Sequence, residues 1–122
     1  MFRMRKEHLA AFEQVVLEDF EDRMVEHQRD CFPENFADLG ESAVRKVILY
    51  GIDRAAAYKL TDEYDVCLYL DVMAQLGRDF DKDPKKAWAV AILKDAADDP
   101  SDRVEKLWEQ VFEPETDGEG EE

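Results

Sequence analysis

Apolar residues recur at steps of three and four along most of this chain and almost nowhere alternate. Leu9, Phe12, Val16, Phe20, Met24, His27 and Cys31 share one stripe, which predicts a helix over 5–31. At 1.5 Å per residue it is roughly 40 Å long. Its opposite side carries Glu18, Asp22, Glu26 and Asp30, each four residues apart. Like charges at that spacing cost about 0.2–0.5 kcal/mol per pair, and Arg23 and Arg29 are the cations placed to relieve them. Phe32-Pro33 ends the helix, because the residue before proline is pushed out of the helical region. PENFADLGES reads as a connector, with Phe36 and Leu39 turned toward the core. A second helix, over 41–59, offers Val44, Val47, Ile48, Gly51, Ala55 and Tyr58 on its apolar face. Gly51 costs up to about 1 kcal/mol of helix propensity relative to alanine. The expected return is close approach of the third helix.

That third helix is the most apolar stretch of the chain. Thr61 is its expected N-cap, and Asp62 and Glu63 suit the positive end of the dipole. Val66, Leu68, Tyr69, Leu70, Val72, Met73 and Leu76 cover more than half its girth, so it belongs at the centre of a bundle. Gly77 stops it. Asp83-Pro84 and Asp99-Pro100 each read as N-cap and first helical residue. They predict a fourth helix over 84–94, burying Trp88, Ala91 and Ile92, and a fifth over 100–112, offering Val104, Leu107, Trp108 and Val111. No stretch shows strand alternation or a hairpin dipeptide. The expected fold is all-α: a single-domain irregular bundle of about five helices around the apolar helix at about 62–77. Residues 113–122 hold six acids and no apolar side chain. They predict a disordered acidic tail beyond a folded domain of residues 1–112.

Charge narrows the choice of partner. The net charge is −15, and the six acids of 113–122 account for −6 of it, leaving −9 on the body. An acidic body repels nucleic acid and anionic membranes and favours a protein partner with a basic surface. No run of about eighteen apolar residues offers a membrane span. MFRMRKEHLAAFEQ is too charged for a secretory h-region. The expected compartment is the cytoplasm, with Cys31 and Cys67 reduced.

Candidate chemistry is sparse. Asp79, Asp81 and Asp83 alternate like the start of a calcium loop, but Pro84 and Val90 stand where that loop needs glycine and glutamate. A capped turn is expected instead. His27 and Cys31, at i and i+4, could form half a metal site, but no second pair exists, and His8 and Cys67 stand alone in the sequence. No nucleophile elbow, phosphate loop or HExxH occurs. Cys67 falls on the less apolar side of its helix with Asp71 and Gln75, without a cation to activate it. Asp71 is expected to face Gln75 and Arg78. Asp65 lies on the most apolar face, where a carboxylate needs a counter-charge. Arg54 is the expected partner, in an ion pair fixing the register of helices two and three. No cofactor, metal or catalytic residue is assigned.

The string FPENFADLGESAVRKVILYGIDRAAAYKLTDEYDVCLYLDVMAQLGRDFDKDP, followed by AWAVAIL, resembles a small all-helical, uncharacterised bacterial family. The family's pattern is F-P, L-G, G-I-x-R-A-x-x-Y, E-x-D-V-x-x-Y-x-D-x-M, L-G-x-D-F-D and W-A-x-x-I-L. The resemblance runs from about Phe12 to Leu93. Lys59 departs from it, where glycine is expected. Its members resemble accessory proteins encoded near type VI secretion effectors. That resemblance implies no catalytic residues. With the acidic surface, it leads to the expectation of a cytosolic protein-interaction module, an adaptor, chaperone or immunity-like partner of a secreted effector. Glu18, Asp22, Glu26 and Asp30 would be its partner-binding face. Two alternatives are a small carboxylate-based or metal-dependent enzyme using Asp65, Asp71 and the 79–83 acids, and an acidic mimic of nucleic acid that blocks a nuclease.

Overall fold

The computed structural model describes residues 14–114. Within them the chain forms six α-helices and no strand: α1 Gln14–Cys31, α2 Pro33–Leu39, α3 Glu41–Ala57, α4 Glu63–Leu76, α5 Ala87–Leu93 and α6 Pro100–Phe112. Two 3₁₀ turns, Phe80–Lys82 and Pro84–Lys86, join α4 to α5. The all-α expectation holds, with one more helix than the sequence pattern predicts. The addition is α2, read from sequence as a connector. Pro33 ends α1 and also opens α2, since proline's fixed φ and missing N–H suit a first helical turn. The part of the first helix before residue 14 and the tail from residue 115 lie outside the described residues. Glu113 and Pro114 are exposed.

The apolar girth of α4 places it at the centre. It packs against α6, α3 and α1, and Val66, Leu68, Tyr69, Leu70, Val72 and Met73 are all buried. Its N-cap is Asp62, whose side chain accepts from the Asp65 N–H at 3.0 Å, not Thr61. Asp99 caps α6 as expected, accepting from the Asp102 N–H. Asp83 accepts from the Lys85 N–H but caps the 3₁₀ turn Pro84–Lys86, so α5 begins only at Ala87 and not at Pro84. The close approach at Gly51 is present. A Cβ there would lie 2.7 Å from Met73 Sδ and closer still to Leu70 Cδ2, both on α4.

Four side chains depart from the pattern. Core positions on α5 fall to Ala89 and Leu93, while Trp88 is 44% exposed, Ala91 is also exposed and Ile92 is only half-buried. AWAVAIL is apolar on every side, so periodicity cannot fix which face turns inward. Leu39 is exposed, and the seven-residue α2 buries none of its side chains fully. At the end of α1 the core position goes to Gln28, not to Cys31, which is exposed. No helix among the described residues is long and apolar enough to cross a membrane.

Candidate functional site

The fold gathers polar chemistry at the junction of α1, α4 and α6. His27 projects from α1, and Cys67 and Asp71 sit one turn apart on α4. Asp71 is 7% exposed, a burial that demands partners for both oxygens. His27 Nε2 lies 2.7 Å from Oδ1, and the indole Nε1 of Trp108, from α6, donates to Oδ2 at 3.1 Å. A ring nitrogen of His27, the Cys67 Sγ and an Asp71 oxygen all lie within 4.8 Å of one another. On the other side of the ring, Cys31 Sγ is 3.7 Å from Nδ1. The hydrogen bond to Asp71, followed by that to Cys67, pushes the His27 pKa up to about 10, against the opposing effect of burial. The imidazole is therefore a cation at neutral pH, locked to a buried carboxylate.

This arrangement corrects three expectations. Cys67 is not isolated, since it stands beside His27. Asp71 does not face Gln75 and Arg78; it turns inward to His27 and Trp108. The partners of His27 extend beyond Cys31 to α4. None of these pairings is local in sequence, so residue spacing carries no signal for them beyond the i, i+4 placement of Cys67 and Asp71.

A second polar cluster replaces the expected Arg54–Asp65 ion pair. Arg54 reaches Asp81 in the turn after α4, with Nε 3.1 Å from Oδ2 and Nη2 closer. The Tyr58 hydroxyl donates to the same oxygen at 2.9 Å, and burial, then the bond to Asp81, pushes its pKa up to about 12. The Asp81 side chain has no exposure. Its Oδ1 and the buried Tyr69 hydroxyl have no hydrogen-bond partner among the described residues. Asp65 faces α6 instead, where the Ser101 hydroxyl donates to Oδ2. The correction has a simple origin. Asp65 opens α4 on the side that α6 covers, while Arg54 lies on the side that the 79–83 turn covers.

The D-x-D-x-D acids diverge. Asp79 accepts from the Tyr50 hydroxyl, Asp81 is committed to Arg54, and Asp83 caps its turn and meets Lys86 at 3.0 Å. They share no site with Asp65 or Asp71, each of which has its own partner.

Glu18, Asp22, Glu26 and Asp30 are all exposed on α1. Charge relief along this helix comes chiefly from α3. Arg45 meets Asp22 at 3.0 Å, Glu21 at 2.9 Å and Glu41 at 3.0 Å. Arg23 instead pairs with Asp19 and Glu63, both at 2.9 Å, and Arg29 lies over the Phe36 ring.

Between α1, α2, α3 and α4 runs an apolar groove of about 360 Å³. Phe36, Leu39, Val44, Val47, Leu70 and Met73 line it, with Lys46 and Arg78 as its cations. Asn35 bridges from α2 to the Ala74 carbonyl at 3.1 Å, holding α2 in place. Gln28, 9% exposed, also lines the groove, and its Nε2 has no hydrogen-bond partner among the described residues. Sequence reasoning missed this groove because Leu39 reads as a core residue and α2 as a loop.

No protein-family model, curated protein or solved structure matches this chain.

Proposed function

We propose that this protein is a small cytoplasmic interaction module that seats an apolar segment of a partner protein in the α1–α4 groove. The observation that carries the reading is the groove itself, an apolar trough whose lining includes a buried amide N–H without a partner. Such a donor costs about 1–3 kcal/mol while unsatisfied, and a main-chain carbonyl of an inserted segment would satisfy it. An apolar anchor with one matched polar group is how binding pockets combine affinity with orientation.

Charge plays a different part. The net charge of −15 and the exposed acids Glu18, Asp22, Glu26 and Asp30 favour a partner with a basic surface. They act through encounter rate more than through final affinity. Lys46 and Arg78 set one further requirement: the partner residue that crosses their rim is neutral or acidic. The resemblance to accessory proteins of type VI secretion supports an adaptor, chaperone or immunity-like role toward a secreted effector. The carboxylate-enzyme alternative draws no support from the acids, which are spread over separate partners.

The test is calorimetric titration of the full chain against the proteins encoded beside its own gene, at low and high salt. Binding to one of them is expected, weakening with salt and falling at least tenfold in Val47→Glu, with circular dichroism checking that the variant folds. If no neighbouring gene product binds, or if folded Val47→Glu binds as the parent does, the reading fails.

A further inference from the structure

We infer that His27, Cys67 and Asp71 form a three-ligand site for a divalent transition metal, zinc being the best fit. The donor set is one imidazole nitrogen, one thiolate sulfur and one carboxylate oxygen. A thiolate disfavours magnesium and calcium, and the mixture of nitrogen, sulfur and oxygen is characteristic of zinc.

Geometry supports the assignment. Bonds of about 2.0–2.3 Å at tetrahedral angles hold donors about 3.3–3.8 Å apart. Here Nε2 and Oδ1 are 2.7 Å apart, and a ring nitrogen of His27, the Cys67 Sγ and an Asp71 oxygen all fall within 4.8 Å of one another. Small side-chain rotations therefore open a tetrahedral corner. Two ligands stand one turn apart on the buried central helix, which fixes their relative position. The supporting shell is also built. Trp108 holds Asp71 Oδ2 and leaves Oδ1 for the metal, while Cys31 Sγ lies 3.7 Å from the ring nitrogen that does not bind the metal. Such outer contacts orient ligands and are worth about 10–100-fold in affinity.

The binding step balances. The ion enters with charge +2, the proton between Nε2 and Asp71 leaves, and the Cys67 thiol proton leaves. The product is a neutral metal–imidazole–thiolate–carboxylate centre plus two released protons. Three protein ligands leave the fourth position for water or an incoming ligand, as in zinc sites that act on a substrate. His27 is 30% exposed at its side chain and Cys67 is half-buried, so the cluster is not sealed in the core.

Titration of the metal-free full chain with cobalt(II) tests the site. One equivalent is expected to produce a thiolate-to-cobalt charge-transfer band in the near ultraviolet, with visible bands of tetrahedral intensity, and zinc should bleach both. Cys67→Ser should remove the charge-transfer band and Cys31→Ser should keep it. His27→Gln should weaken binding at least tenfold, with circular dichroism checking its fold. The inference is overturned if the parent chain gives no band, if the band survives Cys67→Ser, or if Cys31→Ser abolishes it.

Discussion

Arg54 Nε lies 3.1 Å from Asp81 Oδ2, and the Asp81 side chain has no contact with solvent. The pair ties α3 to the turn that follows α4, with Tyr58 donating to the same oxygen. A buried carboxylate stripped of its cation is costly, about 3–5 kcal/mol. Arg54→Met is therefore expected to lose stability on that scale. Much of the loss should return when Asp81→Leu is added, since an apolar pair leaves no stranded charge. In a double-mutant cycle read from urea midpoints, Arg54 and Asp81 should couple by more than about 1 kcal/mol. Arg54 and Asp65, which have separate partners, should add to within about 0.5 kcal/mol. A stronger coupling to Asp65 would restore the pairing that sequence alone favours.

Lys59 has φ +70°, a left-handed conformation that a Cβ disfavours by roughly 1–2 kcal/mol. The residue sits just past α3. Its N–H donates to the Ala56 carbonyl and that of Leu60 to Ala55, both in 2.9–3.0 Å bonds. This is the Schellman arrangement, in which glycine is the usual occupant. Lys59→Gly should stabilise the protein by up to about 1 kcal/mol, since greater freedom of the unfolded chain cancels part of the relief. An unchanged or lower urea midpoint would show that the cap carries no strain.

Gly51 is held small by α4. A Cβ there would crowd Leu70 and Met73, both of which also line the apolar groove. Overpacking of this kind costs about 1–3 kcal/mol, and alanine returns up to about 1 kcal/mol of helix propensity. Gly51→Ala should therefore lose about 1 kcal/mol net, read as a lower denaturation midpoint. The displaced Leu70 and Met73 ends have the groove to move into, so the variant should also weaken the proposed partner binding. A gain in stability would mean that the two helices are not in tight contact.

The helices were legible because their determinants are local. Asp83 and Asp99 announce helical starts beside proline, Gly77 a stop, and Phe20, Met24, Val44, Ile48 and Ala55 a buried face. The candidate site was not legible, because its determinants are remote. His27 meets Asp71 across 44 residues, and Arg54 meets Asp81 across 27. A helical wheel places Asp65 on an apolar face correctly, yet it cannot say which neighbour covers that face. Trp88 shows the same limit: a segment apolar on all sides fixes a helix without fixing its rotation.

Asp65 provides the pH test. Burial raises its pKa above the ordinary carboxylate value of 3.8, and the Ser101 hydroxyl opposes that rise. A group raised in the folded state binds its proton more tightly there than in the unfolded chain. Its contribution is favourable below pH 3.8 and is lost as pH climbs through the folded value. At neutral pH the wild-type carboxylate therefore weakens the fold, and Asp65→Asn removes that effect while still accepting from Ser101. The stability of Asp65→Asn relative to wild type should rise as pH climbs from 3 through the folded value and then level off. Ser101→Ala in the wild-type background, which deletes the opposing hydrogen bond, should push the Asp65 pKa higher and make wild-type stability fall more steeply over the same range. Urea midpoints at pH 3, 5 and 7 for the three proteins decide the matter. A difference that stays flat, or that favours wild type increasingly as pH rises, would show that Ser101 and the α4 N-terminus hold Asp65 comfortably as an anion.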